Sequence, residues 1–195
     1  MQHKCKMTVL DKKLYPELQA QYCADPDSGP CPCYRVGDEY VFARYGAEDD
    51  FWHMGAGTLI NAGGPAEGIA GSAGTPHCSE AWDAVSRYIY AALQGGSIMR
   101  GWMRDEREMI ACCSDGTRPV VFKLQRLDYK VLYIDGIGCD RCRERISAAL
   151  TALPEVTEVH FRPDFAEVYV DGDPGDEALK QAVERCGGYT VTKID

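Results

Sequence analysis

Apolar residues recur along this chain with a period that changes several times, and each change marks an element. Lys4 to Leu10 reads as a strand. The cysteine-rich stretch Cys23 to Cys33 follows, where Pro26, Pro30 and Pro32 forbid regular structure. Glu39 to Ala43 reads as a second strand. Between Gly55 and Gly74 seven glycines lie among small residues, which predicts a long flexible loop. That loop lacks a Gly-Lys-Ser/Thr ending, so it does not read as a phosphate cradle. Glu80 to Leu93 is the best helix of the first part: Ala81, Val85, Tyr88, Ile89 and Ala92 repeat at helical spacing, and Gly95-Gly96 stops it. Met109 to Cys113 and Pro119 to Leu127 read as two strands joined at Ser114-Asp115-Gly116, the later one pairing with the opening Lys6–Leu10 stretch.

No linker follows. Only Asp128 stands between Leu127 and Tyr129, where a new strand, Lys130 to Asp135, begins. Arg141 to Leu153 then carries Cys142, Ile146, Ala149, Leu150 and Leu153 on one helical stripe. Val156 to Phe161 and Ala166 to Val170 read as strands, the second with Ala166, Val168 and Val170 inward. Glu177 to Cys186 is a helix with Leu179, Ala182, Val183 and Cys186 on its stripe, and Tyr189 to Ile194 is the last strand. The order β-α-β-β-α-β is the ferredoxin-like plan of an antiparallel sheet with two helices on one face. The expected fold class is therefore α+β: a mixed α+β domain with a small, mainly antiparallel sheet at 1–127, then a ferredoxin-like domain at 128–195.

Composition narrows the function. The formal net charge is −9 and both parts are acidic, which argues against nucleic acid and anionic membrane surfaces as partners. No apolar run approaches the roughly 18–20 residues of a membrane span, and the opening Met-Gln-His-Lys-Cys-Lys lacks the apolar stretch of a secretion signal. The expected location is the cytoplasm, where thiols stay reduced. Ten cysteines then point away from a disulfide framework, towards metal binding, thiol chemistry or burial.

The strongest chemical signal is Asp135-Gly136-Ile137-Gly138-Cys139-Asp140-Arg141-Cys142, at the junction of a loop and a helix. Two thiols three apart at such a junction can turn towards one ion, and thiolate selects Cu(I) or Zn(II) over Mg(II) or Ca(II). Gly136 and Gly138 let the loop bend. The positive end of the helix, with Arg141, Arg143 and Arg145, should lower the Cys142 pKa.

With its Cys-x-x-Cys loop, Leu150, Leu153, Val156 and Val159, and the late Gly188-Tyr189 pair, the segment from Tyr129 to the end resembles the heavy-metal-associated domain of copper chaperones, mercuric-ion-binding proteins and the amino-terminal modules of metal-pumping ATPases. That resemblance implies a soft metal ion bound by Cys139 and Cys142, with Cu(I) the first expectation and Zn(II) the second. It also implies a thiol-bearing protein, such as a metal-transporting ATPase, as partner. Ile137 stands where most members have Met, and Gly138 where most have Ser or Thr. Asp140 could add a carboxylate oxygen or be a solvated loop acid. Cys186 has two open readings, a third thiolate or a packing residue at the end of its stripe.

In the first part, Gly29-Pro30-Cys31-Pro32-Cys33, His77-Cys78-Ser79-Glu80-Ala81-Trp82 and Ala111 to Leu124 resemble a small uncharacterised prokaryotic cysteine-containing domain family, to which no activity is attached. Pro30 and Pro32 hold Cys31 and Cys33 in an extended turn, so both sulfurs could bind a metal, with Cys78 or His77 closing the site; buried structural thiols are the alternative. Cys112 and Cys113, if in a strand, point to opposite faces. Met99, Met103 and Met109 could be Cu(I) ligands, though packing is the commoner use of Met. The expected function is soft-metal binding for trafficking, storage or sensing. The alternative is a thiol- or metal-dependent enzyme, or a small-molecule binder, in the first domain, supplied with metal by the second.

Overall fold

A computed structural model describes residues 1–44, 59–63, 68–69 and 78–195. The chain divides into two compact units, His3–Arg126 and Leu127–Asp195, the latter joined by Met1–Gln2.

The first unit begins with β1 (Gln2–Lys12) and the short helix α1 (Pro16–Tyr22). It continues with β2 (Glu39–Arg44), β3 (Leu59–Gly63), β4 (Gly68–Ile69), α2 (Ser79–Leu93), β5 (Glu108–Cys112) and the first half of β6 (Val120–Asp135). The strand order is β4-β3-β2-β1-β6, with β5 also on β6. The opening strand thus neighbours the later one, as the sequence predicts, and β5 pairs β6 antiparallel through Ala111 opposite Phe122. On α2 the expected stripe is buried at Ala81, Val85, Ile89 and Ala92, against Val9, Tyr40, Phe42, Phe122 and Leu124.

Two expectations are corrected here. The 55–74 stretch, read as one loop, contains β3 and β4, antiparallel to each other through Ile60 opposite Ile69; the rest of that stretch lies outside the described residues, as does His77. The strands expected on either side of Asp128 are one strand. Val120, Phe122 and Leu124 are buried before the junction and Lys130 and Leu132 after it, with 125–129 half-buried between them.

The second unit contains the end of β6, then α3 (Asp140–Thr151), β7 (Val156–Phe161), β8 (Ala166–Val170), α4 (Asp176–Glu184) and β9 (Thr190–Ile194). All neighbours are antiparallel and the order is β9-β6-β8-β7. The first and last strands are therefore central and edge partners, as in the ferredoxin-like plan. Ile146 and Leu150 of α3 and Leu179 and Val183 of α4 pack on Leu132, Val156, Val168, Val170 and Val191.

One departure concerns β8, where Glu167 is buried although it lies between the inward Ala166 and Val168. The outer face of this sheet is covered locally. Tyr129 and Tyr169 stack at 5.3 Å, the Tyr169 hydroxyl donates to Glu167 at 3.1 Å, and Arg162 lies 3.5 Å from the same carboxylate. On the helix face Lys130 is buried yet bridged to Asp173 and Asp176, each at 2.7 Å, which satisfies its charge at the N-terminal end of α4.

Candidate metal centre

The Cys-x-x-Cys loop sits between β6 and α3. Cys139 is the N-cap of α3, with extended backbone (φ −158°, ψ 161°), and its carbonyl accepts from the N–H of Cys142 at 3.0 Å and of Arg143 at 3.3 Å. The sulfurs of Cys139 and Cys142 therefore both stand at the first turn, where N–H groups lack intrahelical partners and the helix presents partial positive charge. The two sulfurs converge to 2.6 Å, with Cys139 exposed and Cys142 half-buried. Below them Ile137 packs against the core of the second unit.

Gly136 is the residue that makes the loop fit. Its φ is +93°, and a Cβ there would land on the carbonyl oxygen of Gly188. Gly187 and Gly188 also have positive φ, so two tight turns meet backbone to backbone beside the thiols. Gly138 does no such work: it has open space around it and is not in the left-handed region.

That close approach brings Tyr189 to the site. The Cys142 thiol is pulled down from 9.0 to about 7, first by hydrogen bonding from Cys139, then from the Tyr189 hydroxyl, then by the backbone at Gly138 and Cys139. The same Tyr189–Cys142 bond pushes the tyrosine up. The sequence credited Arg141, Arg143 and Arg145 with the shift; the largest contributions are instead hydrogen bonds, and Arg143 turns to Asp140 at 3.4 Å. In the sequence Tyr189 belongs only to the family pattern and the last strand, because 46 residues lie between it and Cys142 and no local signal links them.

A pH experiment isolates this contact. In the apo chain, iodoacetamide should alkylate Cys142 with a midpoint near pH 7, because the depressed pKa leaves thiolate present down to that pH. Tyr189→Phe removes a donor to the thiolate, so the midpoint should move up towards 9. Peptide-resolved mass spectrometry reads it, and an unmoved midpoint would show that the hydroxyl does not hold the sulfur.

The other candidates fall in different places. Asp140 is 91% exposed, with the Arg143 guanidinium 3.4 Å from its carboxylate. Cys186 follows α4 and directs its thiol to the carbonyl of Ala182 at 3.3 Å, with that of Arg145 at 3.9 Å. In the first unit Cys31 and Cys78 are half-buried and Cys33 exposed. Cys5 is fully buried and burial pushes its thiol up to about 12, which marks it as a packing residue. Cys112 is exposed and Cys113 half-buried, the latter accepting from the N–H of Val120 at 3.2 Å. None of the ten cysteines is in a disulfide. Among the described residues no three His, Cys, Asp or Glu side chains are set to share one ion.

Residues 131–189 match the heavy-metal-associated domain family. The copper chaperone CopZ of Staphylococcus haemolyticus (strain JCSC1435) is 37% identical over 65 residues, a match covering 94% of that protein and 32% of this chain. The chain belongs to the heavy-metal-associated family. It does so through its second unit, and nearly the whole of that relative corresponds to about one third of the present sequence. The matched segment contains the Cys139–Cys142 loop and ends on Tyr189, so the sulfur pair, the Gly136–Gly188 approach and the tyrosine all lie within the heavy-metal-associated domain. Among the described residues, no helix is long and apolar enough to cross a membrane.

Proposed function

We propose that the heavy-metal-associated domain carries Cu(I) between thiol-bearing proteins, holding it on Cys139 and Cys142. The observation that carries this is the convergence of two disulfide-free sulfurs at an exposed helix N-terminus, one of them with its pKa drawn down to about 7. An ion about 2.3 Å from each sulfur needs them roughly 3.8 Å apart if tetrahedral and roughly 4.6 Å apart if linear. Cys139 makes no side-chain cap bond, so its side chain can turn towards an ion without breaking one. Zn(II) prefers four ligands and finds two, whereas Cu(I) is content with two thiolates. Such an ion stays open to a third sulfur. An incoming thiolate forms one Cu–S bond, one resident bond breaks, and repetition moves the ion without any change of oxidation state. The relative's name as a copper chaperone supports copper as the cargo. A metal-transporting ATPase with its own pair of thiols is the kind of partner that this chemistry suits, and a reducing compartment such as the cytoplasm is where it can work.

We read the site as using two thiolates, supported by the Cys186 thiol donating to the Ala182 carbonyl instead. Cys186→Ser should therefore leave the Cu(I) affinity within about threefold, less than 0.7 kcal/mol. A larger loss in a competition titration would make it a ligand. The function itself is tested by mixing the Cu(I)-loaded chain with an apo Cys-x-x-Cys acceptor domain under anaerobic conditions and separating the two. Copper should redistribute between them faster than it is lost to a non-thiol chelator of equal affinity. Copper that leaves only at the chelator's rate would contradict transfer by direct thiolate exchange.

A further inference from the structure

The two sulfurs at the metal loop are also set for a reaction that needs no ion. Cys139 and Cys142 lie 2.6 Å apart with no bond between them. That is about 0.6 Å more than the length of a sulfur–sulfur bond. Two sulfurs that share an ion stand roughly 3.8–4.6 Å apart, so this geometry is nearer to a disulfide than to a loaded site.

Little in the fold resists closing the gap. Neither sulfur belongs to the buried core of the second unit. Cys139 makes no side-chain cap bond, so its side chain turns without losing one. The thiols discussed above outside this loop are placed differently. Cys5 is sealed in the core, the Cys186 thiol donates to the Ala182 carbonyl, and Cys113 accepts from the N–H of Val120.

Access and charge point to the oxidant. Cys139 is exposed, so a reagent in solvent reaches the pair. Arg141, Arg143 and Arg145, all exposed at the start of α3, outnumber the exposed acids Asp140 and Glu144 there. A net positive first turn favours an anionic reagent over a neutral one. Glutathione disulfide, whose carboxylates outnumber its ammonium groups, has that charge.

We propose that Cys139 and Cys142 form a thiol–disulfide switch, closed by glutathione disulfide and opened by reduced glutathione, that decides whether the loop takes Cu(I). The copper half of this rests on the function proposed above; the disulfide half does not. A thiolate of the pair attacks one sulfur of glutathione disulfide, forms a mixed disulfide and expels one glutathione thiolate. The second protein sulfur attacks the first, the Cys139–Cys142 bond forms, and the other glutathione thiolate leaves. The pair loses two electrons, glutathione disulfide gains them, and the two thiol protons end on the released glutathione. Once joined, the sulfurs carry no negative charge and cannot separate to the span an ion needs. The linkage runs both ways, since an ion held by both sulfurs leaves neither free to attack.

The test places the apo full chain in anaerobic glutathione buffers of rising oxidised fraction. Acid quench, N-ethylmaleimide blocking and peptide-resolved mass spectrometry then report each cysteine. The peptide holding Cys139 and Cys142 should lose two hydrogens and take up no maleimide, and reduced glutathione should reverse both changes. Cys139→Ser and Cys142→Ser should each stop at the mixed disulfide, heavier by one glutathione. The oxidised chain should compete with bicinchoninate for one Cu(I) fewer than the reduced chain, the same deficit as Cys139→Ser/Cys142→Ser. A pair that stays reduced in glutathione disulfide alone, or stops at the mixed disulfide as the single variants do, would overturn the switch. So would a closed pair with undiminished Cu(I) binding at the loop. A reduced loop that takes no Cu(I), in a chain whose pair still closes, would instead overturn the copper reading and the copper half of the switch with it.

Discussion

Replacing Cys139 and Cys142 together by Ser should remove one Cu(I) per chain and lower the affinity at that loop by more than about a thousandfold, which is about 4 kcal/mol. Serine hydroxyls are hard and stay protonated near neutral pH, so they offer Cu(I) neither the soft electron pair nor the negative charge that a thiolate gives. The helix N-terminus and the Tyr189 hydroxyl, which lower the thiolate's energy, gain nothing from a neutral alcohol. The fold should survive. Neither sulfur belongs to the buried core of the second unit, which is built from Leu132, Ile146, Leu150, Val168, Leu179 and their neighbours. Far-UV circular dichroism and thermal unfolding of the apo variant should therefore match the original chain while a bicinchoninate competition titration shows the loss. Full retention of Cu(I) would remove the loop from the account.

Gly136→Ala should have the largest effect on stability among changes at the site. Two costs add: a side chain at φ +93° is strained by about 1–2 kcal/mol, and the new Cβ meets the Gly188 carbonyl oxygen, which is backbone and cannot swing aside. We expect the second unit to lose about 2–4 kcal/mol, read as a lower denaturant midpoint with an unchanged slope. The relief available to the chain is to push the 136–142 loop away from the Gly187–Tyr189 turn. The surviving folded fraction should then show a Cys142 alkylation midpoint raised towards that of Tyr189→Phe. Gly138→Ala is the control, since its Cβ would enter open space. Equal stability for Gly136→Ala and the original chain would mean that the close approach does not position the site.

The second unit was legible because its pattern is local and its period clean. Val156–Phe161 and Ala166–Val170 fall on the expected residues, and the stripes of α3 and α4 point where 3.6-residue spacing puts them. What escaped was non-local or polar. The helix α1 has seven residues and buries only Gln19, so it has no apolar stripe to announce it. Its role is to pin Gly29 by a side-chain amide, a contact that composition cannot show. Glu167 is buried because Tyr169, Tyr129 and Arg162 cover it, and an alternating strand read one face at a time assigns it to solvent. At the metal loop the thiols, Ile137 and the glycines were readable, but the cause of the lowered Cys142 pKa was not. Arginines adjacent in sequence looked like the source; the tyrosine brought in by Gly136 and Gly188 does more.

The most direct test of Cu(I) on Cys139 and Cys142 is a titration of the ¹⁵N-labelled full chain with Cu(I) under anaerobic conditions, followed by backbone amide NMR. As Cu(I) is added, the amides of Gly136 to Cys142 and of Gly187 to Tyr189 should shift together, because the sulfur pair and the turn that carries Tyr189 form one site. Resonances from that loop and turn that stay fixed while copper binds elsewhere, or fails to bind, would contradict the account.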